Sequence, residues 1–305
     1  MDGALAQERV REHWDRQPCD SELSTREPTS RAFFLDVERQ RYELQPHILE
    51  CHSWIDWRGK RVLEVGAGIG TDARRLIAGG ADYTGINVDR GSTEATGRAL
   101  RAFGLPGVAL QRDACVLDLA SNSFDVVYSF GVLQHIPQVQ RAVAEIERVL
   151  KPGGELVVML YNRSSINYVL EIMLLRRLGL RLLSIPGAIG LFTRLGLPRE
   201  KLERHRALRR QGAPMSSQEW LSRNTNGPDY PYCTVYDARE AEQLLCRFEI
   251  VRHEVRFFDH RHWGFIGRLL PGSVRRMLGR RWGWHRIVHA RKAGGPRGNG
   301  GEAQS

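Results

Sequence analysis

The stretch Arg61–Asp72 reads RVLEVGAGIGTD, and its first half has the make-up of a buried strand, with Val62, Leu63 and Val65 supplying branched or bulky apolar side chains. The run breaks at Gly66-Ala67-Gly68-Ile69-Gly70, where glycine permits φ > 0 and lets backbone approach a ligand closely. Thr71-Asp72 then opens a helix that continues through Ala73-Arg74-Arg75-Leu76-Ile77. Strand, glycine turn and helix in that order form the start of a nucleotide-binding α/β unit.

Two details narrow that reading. The third glycine arrives one residue too early for the dinucleotide fingerprint G-x-G-x-x-G, which disfavours a dehydrogenase. Glu64 is an acid at the end of a buried strand, a place that a purely structural strand leaves apolar. With these features, EVGAGIG resembles motif I of the class I S-adenosylmethionine (SAM)-dependent methyltransferases. Further segments match in the family's order: GINVD at 85–89, RDA at 112–114, FDVVYSFGVLQHIP at 124–137 and RVLKPGGELVVMLYNR at 148–163. Together they cover about residues 58–163. The resemblance implies a Rossmann-like α/β fold, a seven-stranded mostly parallel sheet whose last strand is antiparallel, with SAM as cofactor.

The cofactor's parts want different partners. By the resemblance, Gly66, Ala67 and Gly68 bring backbone amides to the methionyl end and the ribose, and Glu64 meets the positive end directly or through water. The ribose hydroxyls would meet the end of strand two, where this chain has Asn87 in place of the usual carboxylate. An amide oxygen still accepts a hydroxyl hydrogen, without the strength that charge adds, and Asp89 lies two residues on as a substitute. Val88 would lie against the adenine, Asp113 would accept from its amino group beside the Ala114 amide, and Ser129 and Phe130 would end strand four beneath the cofactor.

On the acceptor side, methyl transfer needs a nucleophile held in line in a dry site, and a base only where a proton must leave. His135, just past strand four, is the candidate base, with helix capping as its plain structural alternative. Tyr161, Asn162, Arg163 and Asn167 follow strand five as candidate pocket lining, with Tyr230, Tyr232 and Tyr236 adding aromatic surface. Tyr42 and His47, in the N-terminal helices, are candidates for a lid over the cofactor or for simple packing. DHRH at 259–262 is a poor metal site, because one His-x-His lacks further spaced ligands, so no metal is expected.

The layout follows from these assignments. Residues 1–57 form an N-terminal helical cap, with VREHWD at 10–15 as a short helix and two amphipathic helices on either side of Pro46. Residues 58–162 alternate strand and helix as the SAM-binding core, with strands near 61–65, 82–87, 107–112, 124–129 and 155–161. Residues 163–232 are an apolar, arginine-bearing helical insertion divided at Pro186-Gly187, where a substrate lid is expected. Residues 233–292 complete the sheet through a helix at 238–248, a strand at 249–258 and the antiparallel strand in 282–292. The glycine-rich tail 293–305 is expected to be disordered.

Composition excludes several classes. The 305 residues carry five widely spaced cysteines and no C-x-x-C pair, which argues for reduced thiols in the cytoplasm rather than a disulfide frame. The N-terminus has no apolar signal core, and no uninterrupted apolar run reaches the roughly 18 residues of a membrane span. Net charge +10 suits anionic partners, yet no Asn-Pro-Pro-Tyr follows strand four and no Pro-Cys nucleophile resembles that of the cytosine C5 enzymes, so nucleic acid is not the expected substrate. The VLQHIP loop and KPGG turn resemble those of small-molecule methyltransferases, which implies a small lipophilic acceptor of natural-product, quinone or lipid type, methylated on oxygen before nitrogen. Two other readings stand beside it: a membrane-surface enzyme whose helices at 165–210 lie on anionic lipid, and a SAM-fold module that binds without catalysis.

Overall fold

The apolar runs of the first half pair as neighbours in one sheet. A computed structural model of the chain describes residues 3–28, 30–194, 199–210, 215–227, 229–263, 267 and 269–294. The expected disorder of the tail concerns residues that, from 295 on, lie outside those described. Seven strands form the sheet: β1 (Arg61–Val65), β2 (Asp82–Asn87), β3 (Val108–Gln111), β4 (Phe124–Phe130), β5 (Leu150–Tyr161), β6 (Phe248–Arg256) and β7 (His285–Lys292). Their order is β3-β2-β1-β4-β5-β7-β6. β1 pairs in parallel with β2 and β4, while β7 runs antiparallel between β5 and β6. Successive strands are added to one side of β1 through β3 and to the other from β4 on, so the carboxyl ends of β1 and β4 open a crevice where ligands bind in such folds.

Alternation along β1 sends its side chains to two cores. Leu63 and Val65 join a cluster with Val127, Leu133, Val143 and Ile146. Val62 joins Leu76, Tyr83 and Tyr128 on the opposite face. Leu63 and Leu76 are fully buried, each worth roughly 1.5–3 kcal/mol of transfer free energy. A period of two places Glu64 on the Val62 side, facing α4 (Thr71–Ala78) rather than α6 (Val139–Val149).

Helices α1 (Gly3–Arg16), α2 (Arg31–Leu44) and α3 (His47–His52) precede the sheet. Ser30 caps α2 by accepting from the Phe33 amide at 3.1 Å, and Phe33, Phe34 and Val37 pack on Ile69, Ala95 and Ala99. Helix α1 runs well beyond the short helix expected at 10–15, because Ala6 and Val10 both bury on one side of it. α5 (Arg90–Phe103) is capped by Asp89, which accepts from the Ser92 amide at 2.6 Å.

After β5 the chain leaves the sheet as a π-helical segment, Asn167–Leu175, that runs directly into α7 (Arg176–Leu182). Then follow α8 (Ala188–Arg194), α9 (Arg199–Arg210), α10 (Ser217–Thr225) and α11 (Ala238–Leu244). α11 stops four residues short of the expected Phe248, which belongs instead to β6. Its start is fixed by a capping box between Asp237 and Glu240.

Candidate active site

The glycine turn is held from behind. The Gly66 and Ala67 amides both donate to the Ile86 carbonyl, at 2.8 and 3.1 Å, and the Gly68 amide donates to Asn87 Oδ1 at 2.8 Å. Asn87 Nδ2 in turn donates to Thr96 Oγ1 at 3.2 Å, and that hydroxyl donates to the Gly68 carbonyl at 2.9 Å. The three amides are thus engaged with β2, and the Asn87 carboxamide clamps the turn to α5. Gly66 sits at φ 78°, and a Cβ there would lie 2.2 Å from Val132. A Cβ on Gly68 would meet nothing within 4 Å, so this face of the turn opens on the cavity.

One cavity collects the carboxyl ends of β1, β2 and β4: it is lined by Glu64, Gly66, Ala67 and Gly68, by Asn87, Val88 and Asp89, and by Ala114, Phe130 and His135. Ser129 lies on the other side of β4 from Phe130, fully buried, and is not among the lining. The Asp113 carboxylate also lies outside it: Oδ1 accepts from the Cys115 amide at 2.8 Å, and Gln7 reaches both oxygens at 3.4 Å. The buried carboxylate beside Asn87 is Asp89, whose pKa is raised by burial against the pull of its Ser92 hydrogen bond.

At the mouth of β1 the cavity meets a cluster of charge that the sequence reading did not single out. Asp72 Oδ2 accepts from Arg41 at 2.9 Å and from the Tyr128 hydroxyl at 3.3 Å, and Oδ1 accepts from the Tyr42 hydroxyl at 2.7 Å. Arg41 also pairs with Asp20. Burial opposes ionisation of Asp72, but Arg41, His52 and the two hydroxyls outweigh it and hold its pKa below the usual carboxylate value. Glu64 is pushed up to about 8 by burial and by Asp72, against the Tyr83 hydroxyl donated to it and the field of Arg41. The pair therefore holds one proton near neutral pH, on Glu64. Arg41, Asp20 and Asp72 line the cavity, whereas Tyr42, a candidate for the lid, stands behind Asp72. His47 is likewise turned away, its Nε2 2.8 Å from His285 Nδ1 in a buried pair.

The acceptor end is aromatic. His135 lies within 6.0 Å of Trp14, 5.4 Å of Tyr161 and 5.2 Å of Tyr230, centroid to centroid. Its Nδ1 is 3.5 Å from the Tyr232 carbonyl and its Nε2 is 3.4 Å from Asn226 Nδ2. A carbonyl can only accept and an amide nitrogen only donate, so the proton sits on Nδ1 and the lone pair on Nε2. Burial lowers the His135 pKa to about 4, despite the carbonyl. Asn162 is engaged elsewhere: Nδ2 donates to the Gly283 carbonyl at 2.8 Å and Oδ1 accepts from Arg286 at 2.7 Å. Asn167 donates to Glu171 at 3.1 Å within the π-helical segment. Neither asparagine lines the cavity, because both lie where strand five turns away from it, whereas Tyr161 does line it. Asp259 of the DHRH run is held by Arg261 through 2.8 and 3.0 Å bonds.

Parallel strands, a glycine turn between β1 and α4, and carboxylates at the ends of β1 and β2 define a nucleoside-binding Rossmann-like domain. Residues 63–158 match a family model described as a methyltransferase domain. Over those residues the chain is a methyltransferase domain of the SAM-dependent kind, whose cofactor is SAM. The chain is similar to a sterol 24-C-methyltransferase of Gibberella zeae, 36% identical over 99 residues that span 32% of this chain and 26% of the relative. It is also similar to a ubiquinone biosynthesis O-methyltransferase of Alkalilimnicola ehrlichii, 28% identical over 130 residues, 42% of this chain and 51% of the relative. The matched region thus spans between about a quarter and a half of those relatives' length. In fold it is similar to a magnesium protoporphyrin IX methyltransferase of Synechocystis solved with bound S-adenosylhomocysteine (SAH), with TM-score 0.54 and 13% identity over 94% of this chain and 100% of the other.

The cavity fits this cofactor. The open face of Gly68 leaves room beside the turn, Glu64 and Asp72 suit a cationic amino group, and Arg41 suits a carboxylate. Asp89 suits ribose hydroxyls, and the apolar side chains of Ile86, Val88, Ala114 and Ile136 suit an adenine.

Proposed function

We propose that this chain transfers a methyl group from SAM to an oxygen, and less readily a nitrogen, of a small lipophilic metabolite. When bound, SAM supplies a methyl already activated by its sulfonium. What remains for the protein is to orient the acceptor, exclude water and receive its proton. The observation that carries the reading is that His135, Trp14 and Tyr161 line the same cavity as the glycine turn. Aromatic walls bury a planar apolar acceptor, and one relative is named as an O-methyltransferase of ubiquinone biosynthesis.

His135 Nε2 is the base in this reading. With a pKa of about 4 in the ligand-free cavity it is neutral at pH 7, and its Nε2 lone pair, which faces Asn226 Nδ2 at 3.4 Å, would exchange that donor for the acceptor's hydroxyl. A base this weak serves acidic nucleophiles, such as phenols and enols, far better than alkyl alcohols. The test is turnover by the purified chain on a panel of phenols, catechols, alkyl alcohols and amines, read as SAH formed. Phenols and catechols should lead. SAH binding without turnover on any of them would instead favour a binding module.

A further inference from the structure

The helical insertion between β5 and the return to the sheet carries an outer face that none of the described residues covers. Its inner side is accounted for: Ile172 is buried in one cluster with Trp220, Leu221 and Tyr230, and Trp220 Nε1 donates to the Ile172 carbonyl at 2.8 Å. The outer side is of another character. Leu170, Leu174, Leu178 and Leu182 recur every four residues along the continuous helix and are 38–48% exposed. Ile185 and Leu191 extend the stripe at 56% and 58%. Eight of the seventeen large apolar side chains exposed among the described residues fall between 169 and 191. Single exposed leucines are ordinary on a protein surface, whereas a contiguous run marks a contact site.

The charge beside this stripe is predominantly positive, although Arg199 and Arg204 of α9 pair with Glu203 and Glu200. Arg181 and Arg194 are exposed at its borders, and α9 follows with Arg199, Arg204 and Arg206. Residues 165–210 hold ten Arg and Lys against three Glu, so most of the chain's surplus of +10 resides here. One of those acids, Glu171, is buried and paired with Arg176. An acidic protein partner would answer the arginines and leave the leucines wet. An anionic lipid surface answers both, with acyl chains for the leucines and headgroups for the arginines. Among the described residues no helix is long and apolar enough to cross a membrane, so the helix would lie in the interface plane.

We propose that the outer face of residues 167–194 docks this protein on anionic phospholipid. The proposal stands apart from the identity of the acceptor, but it bears on it. Ile172, on the inner side of the same helix, clusters with Tyr161 and Trp14, which line the cavity. A lipophilic acceptor dissolved in the bilayer would therefore be close to the aromatic end of the site.

Co-sedimentation of the full chain with vesicles tests this, using phosphatidylcholine with and without phosphatidylglycerol. Binding is expected on the anionic vesicles, weakening as salt is raised. Leu174→Asp with Leu178→Asp should cut partitioning at least tenfold, and Arg181→Gln or Arg194→Gln should cut it on the order of fivefold each. Because these side chains are exposed, SAH affinity should stay at the unsubstituted value, which also shows that the variants fold. Equal sedimentation of variant and unsubstituted chains would overturn the proposal. So would absence of binding at low salt, or a dimer in analytical ultracentrifugation that the leucine substitutions dissolve and vesicles fail to compete away.

Discussion

Glu64 shows what the site asks of a single residue. Its carboxyl is protonated near neutrality because burial and Asp72 disfavour the charge, and a cationic amino group placed beside it reverses that preference. SAH carries such an amino group, so its binding at pH 7 should release a proton. Calorimetry in buffers of different ionisation heat should register that release, and Glu64→Gln should abolish it while weakening SAH affinity about 10- to 100-fold, the loss of one charged hydrogen bond. His135 predicts a different pattern. His135→Ala should lower turnover by about 10²–10⁴ with SAH affinity unchanged, since the ring faces the acceptor end. Turnover equal to the unsubstituted chain would remove His135 from the chemistry.

At the scale of an element, the glycine turn is a clamp between β1, β2 and α5. Gly66→Ala would require φ 78° of an alanine and drive its Cβ into Val132, which should cost about 2–4 kcal/mol. Urea melts would read that cost. Asn87→Ala leaves the Gly68 amide and Thr96 without their carboxamide partner. About 1–3 kcal/mol of stability should go, and SAH affinity with it. If SAH affinity were kept while stability fell, the clamp would not be shaping the cofactor cradle. Helix α1 belongs to the same construction. Asp15 accepts from the Gly91 amide at 2.8 Å, Gln7 reaches Asp113, and Trp14 packs on Tyr230 and His135. One helix thus touches the adenine side and the acceptor side of the cavity.

For the molecule as a whole, the buried groups set how stability depends on pH. Glu64 titrates near 8 in the folded chain and near 4.5 when unfolded, so the stability it contributes is full below 4.5 and is lost as pH rises to 8. His135 moves the other way, from 6.5 unfolded to about 4 folded, so its contribution is present above 6.5 and is lost as pH falls toward 4. Burial shifts His47, His52 and His285 down as it does His135, so stability of the ligand-free protein should climb from acid pH to about 6.5 and soften from 6.5 to 8 as Glu64 loses its proton. Melting temperatures across that range would show the decline, and Glu64→Gln should flatten it. A melting curve independent of pH between 6.5 and 8 would contradict the buried proton on Glu64.

The alternation of apolar runs with amphipathic helices was enough to place β1, β2 and β4 within a residue of their observed bounds, because period and turn chemistry are local properties. The antiparallel last strand came from the family resemblance, whereas the gathering of Gly66, Asn87 and Phe130 around one crevice followed from the strand ends of a parallel sheet, and Asp113, expected with them, lies outside it. Tertiary structure alone decided which polar groups face the cavity. Arg41 rather than its neighbour Tyr42 lines it, Asn162 and Asn167 are taken up by backbone and side-chain partners, and Asp72 sets the protonation of Glu64. A side chain's direction and its hydrogen-bond partners depend on elements tens to hundreds of residues away, and a buried charge takes its state from whichever of them it meets.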